Sequence, residues 1–195
     1  MRAFLLASWL LSAALLPRPA QAHAHVWVEA TLAFVFEEQQ LVALDVTWLF
    51  DDLYSLLVRE DFDLDGDGSL SQQELDALVG ISAANLVEFS FFTHIKIDGE
   101  KRPVWAVKEF YADVVGELVR YRFRVPLNDP IDPWTQRVSV GLFDDTYYVD
   151  IGLPPGDVTV EPANDCSVTL ENDETEPLYF GTYYPTYAVL HCGTR

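Results

Sequence analysis

Side chains that serve catalysis or nucleic-acid binding are scarce in this chain. Its 195 residues include only four histidines, and neither a GxSxG nucleophile elbow nor an HExxH pair occurs. With so few groups for acid–base or nucleophilic work, no enzyme is expected. Basic residues are also few: 12 Lys and Arg face 31 Asp and Glu, a net charge of −19. That balance excludes nucleic acid and anionic membrane surfaces as partners. The two cysteines, Cys166 and Cys192, form no CxxC pair, which argues against a thiolate metal site. No internal repeat, low-complexity tract or linker interrupts the sequence. A chain of this length without them reads as one domain.

What is present begins with an export signal. Arg2 gives a positive start, Ala3 to Leu16 is a short apolar run, Pro17 breaks it, and Ala20 and Ala22 supply the small residues of a cleavage point. Residues 1–22 therefore read as a secretory signal peptide. The run is shorter than the roughly 20 residues of a membrane span, so the processed chain is expected to begin at His23 and not to be membrane-embedded. Cleavage removes Arg2 and Arg18, leaving 173 residues with 10 basic against 31 acidic side chains and a net charge of −21. In an oxidising compartment Cys166 and Cys192 should pair as one disulfide. In the chain-entropy model, closing a loop of that size contributes roughly 3–4 kcal/mol.

The sharpest motif is the twelve-residue run DLDGDGSLSQQE, Asp63 to Glu74. Asp63, Asp65 and Asp67 fall at positions 1, 3 and 5 of an EF-hand calcium loop, and Ser69 offers a carbonyl at 7. Ser71 can hold a water at 9, and Glu74 closes bidentately at 12. Gly68 sits where such a loop turns sharply. Calcium takes six to eight oxygen ligands, so alternating carboxylates suit it better than a softer metal. Ser71 and Glu74 also form an S-x-x-E capping box, so the loop should start the outgoing helix. A structural calcium fits a lone loop better than a switch, since no second loop of this spacing occurs. Asp144 and Asp145, and the acids from Glu171 to Glu176, read as turn and surface residues.

Elsewhere, periodicity organises the chain. Val26, Val28, Ala30, Leu32, Phe34 and Phe36 alternate with polar residues and predict a long strand, with Leu41 to Phe50 as its hairpin partner. Leu53, Leu56, Leu57 and Phe62 then mark a helix before the acidic loop. Leu75, Leu78, Val79, Ser82, Leu86 and Phe89 mark a second helix after it. Strands are next expected at Phe91 to Ile97, ending in an Asp98-Gly99 turn, and at Val104 to Tyr111, Leu118 to Val125 and Arg137 to Phe143. Further strands fall at Tyr147 to Ile151, Val158 to Val160, Ser167 to Leu170 and Ala188 to Cys192. The fold class is mainly β: a β-sandwich-like single domain over 23–195, with an EF-hand-like helix-loop-helix inserted at about 51–90.

The expected new N-terminus, His23-Ala24-His25, is a second candidate metal site. A free amine, two deprotonated amides and the His25 imidazole make the square-planar nitrogen set that Cu2+ and Ni2+ prefer. His23 could instead chelate through its amine and ring, with His94 or His191 completing a brace for copper or zinc. The bland reading makes all four histidines ordinary polar residues.

Several of these residues together resemble a known family: the His23, His25, Val26, Trp27 start, Thr47 to Ser55 (TWLFDDLYS), Asp63 to Glu74, Phe143 to Asp150 (FDDTYYVD) and Cys166. The chain resembles exported periplasmic proteins of unknown function catalogued as an uncharacterised ABC-type transport system periplasmic component. Members are often encoded beside nickel and cobalt exporters. The resemblance thus implies a periplasmic protein that handles Ni2+, Co2+, Cu2+ or Zn2+ beside an inner-membrane metal transporter. Ala24 departs from the proline common between the two opening histidines; proline has no amide proton to lose, so a family-wide site would use the histidine side chains. The chain is too short for a two-lobed solute receptor. The expected function is therefore a calcium-binding accessory protein for transition-metal handling. The alternative is a calcium-stabilised binding or scaffold module with no transition-metal role, and a third reading is a copper oxidase built on His23.

Overall fold

Strict alternation builds the first strand. In the computed structural model, which describes residues 24–193, β1 (Val26–Glu37) buries every second residue from Val26 to Phe36. The expected signal segment 1–22 and His23 lie outside the described residues. A tight turn at Glu38 and Gln39, both at positive φ, returns the chain as β2 (Gln40–Phe50), antiparallel to β1. A bulge between Val35 and Phe36 shifts the register. It lets both Ala43 and Leu44 face the core.

Two helices follow: α1 (Asp52–Phe62) and α2 (Gln72–Leu86). A short 3-10 segment, Val87–Phe92, leads back to strand. The remaining strands are β3 (Thr93–Ile97), β4 (Glu100–Arg102), β5 (Lys108–Val115), β6 (Leu118–Ile131), β7 (Val138–Leu142), β8 (Val149–Gly152), β9 (Val158–Glu161), β10 (Cys166–Asn172) and β11 (Thr186–Cys192). One sheet has six strands in the order β5-β6-β2-β1-β8, with β9 also on β1. The other has five, in the order β10-β11-β7-β3-β4. Both β8 and β9 run parallel to β1 and share its one edge, at Val26 to Glu29 and at Leu32 to Val35.

The two sheets contribute to one core. Leu32, Phe34, Trp48 and Phe123 from the first share a buried cluster with Ile95, Val140 and Leu190 from the second. The helical excursion lies between β2 and β3 in sequence. It packs on β6 and β1 through α1 and on β5 through α2, adding Val58, Leu75 and Leu78 to the core.

Several local expectations need correction. Leu53, Leu56 and Leu57 do not form the inward face of α1; they are 57%, 44% and 50% exposed, and Ser55 and Val58 are buried instead. The expected strand at Val104 to Tyr111 starts only at Lys108 and runs to Val115. The strand expected from Phe91 starts at Thr93, since Ser90, Phe91 and Phe92 adopt φ of 52°, 52° and 46°. Finally, Gln72–Phe92 is long and apolar enough, by length and composition alone, to cross a membrane. In this fold that stretch is α2 and the 3-10 segment, packed against β5.

The outer face of the second sheet has its own tie. Phe143, Tyr187 and Val189 form a small buried cluster there. Gly141, level with His94 and Tyr187 across the sheet, leaves the room they need: a Cβ at that position would stand 2.6 Å from the Phe143 ring. Lys96 is buried beside this cluster with its Nζ 2.7 Å from Asp173 and 3.3 Å from Glu176. The Cys166–Cys192 disulfide joins β10 and β11 where the two residues stand opposite each other.

Burial pushes the Lys96 ammonium down, but its hydrogen bond to Asp173 and the charge of Glu176 outweigh this and hold it above its ordinary value. The same hydrogen bond, helped by the Thr175 hydroxyl and amide, lowers Asp173 from 3.8 to about 2. A depressed carboxylate stabilises the fold above its unfolded pKa and loses that contribution as pH falls through the folded one. Urea unfolding midpoints should therefore fall between pH 3.8 and about 2. Asp173→Asn should flatten that part of the profile.

Candidate metal centre

The acidic loop is held by a corner that starts one helix earlier. Asp51 caps α1: its Oδ1 accepts from the amides of Leu53 and Tyr54, and its Oδ2 accepts from the Trp27 amide at 2.7 Å. The Asp51 amide donates back to the Trp27 carbonyl. One carboxylate thus supplies orphan helix donors with an acceptor and pins α1 to the start of β1. Ser55, fully buried, accepts from the Val119 amide at 2.9 Å and donates to the Phe50 carbonyl. Tyr54 stacks on Phe50 at 4.4 Å between centroids. The periodicity predicts the helix here but not the roles of Asp51 and Ser55, whose signal is an Asp directly before a helical pattern.

Beyond α1, Asp63, Asp65 and Asp67 converge. One carboxylate oxygen from each lies within 4.8 Å of the others. The loop's own amides draw them in: Asp63 accepts from the amides of Asp67 and Gly68, Asp65 from Asp67, and Asp67 from Ser69. Gly66 and Gly68 provide the left-handed turns at φ of 72° and 85°. The Asp67 amide favours ionised Asp65, but the neighbouring Asp67 charge, partial desolvation and Glu74 raise its pKa overall. Three carboxylates this close repel one another, and a bound cation would relieve that repulsion.

Glu74 is buried, not part of the exposed triad. It accepts from the Ser71 amide and hydroxyl on one oxygen and from the Leu64 amide at 2.6 Å on the other. These donors, the Ser71 amide foremost, lower its pKa. The expected capping box is formed. Ser69 and Ser71 are exposed at the loop surface, the Ser71 hydroxyl being committed to Glu74.

The histidines are dispersed by comparison. His25 is exposed just before β1, its ring 4.9 Å from that of Tyr148. His94 is stacked on Phe143 at 3.8 Å, and its Nε2 donates to the Phe143 carbonyl at 2.9 Å. Burial lowers its pKa, against the opposing pull of the Phe143 carbonyl and Asp145. His191 is exposed on β11 and hydrogen-bonds Thr169. Among the described residues, the acidic triad is the one group of three or more His, Cys, Asp or Glu with ligand atoms this close. Neither His94 nor His191 is brought into such a group with His25.

The FDDTYYVD stretch has a structural role. Asp144 is buried, and its carboxylate accepts from the Thr146 amide and hydroxyl and from the amides of Tyr148 and Val149. It turns the chain into β8. Asp145 is exposed, 3.7 Å from His94.

A family model described as "Protein of unknown function (DUF1007)" matches residues 8–187. The chain belongs to this family. It is 30% identical over 133 residues, 67% of its length and 94% of the relative's, to an uncharacterized 15.5 kDa protein of Spirochaeta aurantia. It is 28% identical over 134 residues to an uncharacterized protein of Haemophilus influenzae, covering 66% of this chain and 61% of that one. Membership in this DUF1007 family carries no activity with it.

The corner is open to direct test. Ser55→Ala leaves the Val119 amide buried without an acceptor, which costs about 1–3 kcal/mol. Urea denaturation should register that loss, whereas Ser55→Thr, which keeps the hydroxyl, should avoid most of it.

Proposed function

We propose that the chain is an exported, calcium-stabilised accessory module in which Asp63, Asp65, Asp67 and Glu74 supply carboxylates to one calcium ion. Ser69 adds its carbonyl and Ser71 a water-held position. The observation that carries this reading is the convergence of the three aspartates within 4.8 Å in a loop closed by Glu74. The ion would neutralise a charge cluster lying between α1 and α2 and so fix the helical hairpin against β5 and β6. Its role is structural. Export to the periplasm is supported by the signal-like residues 1–22 and by the Cys166–Cys192 disulfide. The outward leucines of α1, Leu53, Leu56 and Leu57, support contact with a partner protein, which in this reading is an inner-membrane metal transporter.

Transition-metal handling is the second reading, favoured by the exposure of His25 next to the expected processed N-terminus. His23 and His25 would hold Ni2+, Co2+, Cu2+ or Zn2+ there, and the chain would act in delivery rather than catalysis.

Isothermal titration should find one calcium site. Asp65→Asn combined with Asp67→Asn should weaken it at least tenfold. At free calcium of a hundred times Kd, ligand linkage adds about 2.7 kcal/mol, so Tm should rise by about 5–10 °C. No uptake would overturn the calcium reading. Native mass spectrometry of the exported protein with nickel, copper, cobalt and zinc tests the second reading. One such ion bound, and lost on His25→Ala, is the expected result; no uptake leaves the calcium module alone.

A further inference from the structure

The underside of the helical excursion encloses a pocket of about 320 Å3 against the first sheet. That volume lies at the low end of the range for small-molecule sites, about 300–1,000 Å3. Its walls are apolar: Val28, Trp48, Phe50 and Ile151 from strands, Leu86 and Phe92 from the helical side. Among the described residues, none of those lining it is charged. The chain as a whole carries 43 charged side chains, and none of them reaches this lining, where an ion would lose hydration without a counter-charge.

One wall is polar but neutral. The Tyr121 and Ser82 hydroxyls are 2.9 Å apart, and Tyr54 and Asn85 line the same wall. Burial, with the nearby Tyr54, raises the Tyr121 pKa. The hydroxyl chain therefore stays protonated and can offer both donors and acceptors to a neutral group.

Backbone strain points to the same place. Ser90, Phe91 and Phe92 are three consecutive non-glycine residues at left-handed φ. This conformation is costly, and residues held in it cluster at binding sites. Here it buries Phe91 in the core while Phe92 lines the pocket. Phe89 and Tyr148, 46% and 56% exposed, form the mouth.

We propose that this pocket binds a small uncharged molecule with an aromatic or branched aliphatic body and a single hydroxyl or carbonyl group. The body fills the space between Trp48, Leu86 and Ile151, and the polar group joins the Ser82–Tyr121 hydroxyl pair. This site is separate from the acidic loop and does not rest on calcium binding.

The test uses the intact protein, with and without calcium, and three probes of one shape: benzyl alcohol, benzoate and benzylamine. Two-dimensional NMR should show saturable binding of benzyl alcohol, with the two ions at least tenfold weaker. Leu86→Trp, which fills the space, should weaken benzyl alcohol at least tenfold while the circular dichroism spectrum is kept. Ser82→Val, a smaller change, should weaken benzyl alcohol several-fold and leave toluene unaffected. Equal binding of all three probes, no saturable signal at millimolar benzyl alcohol, or binding that survives both variants would each overturn the proposal.

Discussion

A chain that leaves a sheet for a helix strands polar backbone groups at the junction, and here Asp51 meets most of that demand. Its carboxylate accepts from two helix amides and from Trp27 of β1, while its own amide donates to the Trp27 carbonyl. Four residues on, buried Ser55 ties the helix to β6 through Val119. The helical excursion is thus fastened to three strands within one turn of helix. The acidic loop at its far end and the pocket beneath it inherit their positions from this corner.

Legibility in the sequence followed burial. The alternation in β1 was readable because one face is wholly buried and the other open. The start of α2 was readable because Ser71 and Glu74 meet each other locally. The facing of α1 was not, since its leucines point outward and a serine takes the core position. Hydrogen bonding, not hydrophobicity, decides that position. The left-handed residues 90–92 carry no glycine signal either; the packing of Phe91 overrides local preference. Parallel pairing of β8 and β9 with β1 joins residues more than a hundred positions apart, beyond any local pattern.

For the candidate sites the contrast is similar. Loop spacing named Asp63, Asp65 and Asp67, and backbone geometry brings them together because consecutive Asx-type turns leave little choice. Spacing says nothing of how distant histidines approach, and His94 and His191 are each engaged locally by Phe143 and Thr169. The pocket was invisible for the same reason, since its walls come from four strands, two α-helices and the 3-10 segment, far apart in sequence.

The two short strands on the free edge of β1 bear on how the protein reaches this state. Until residues 149–161 arrive, β1 has an unpaired edge, a template for association with other chains. Its completion therefore waits on contacts of long sequence separation, which form slowly. A nascent chain stalled before residue 149 would present that edge bare. Chaperone holding would then matter most for the first three-quarters of the polypeptide, before its own late segments can cap the edge.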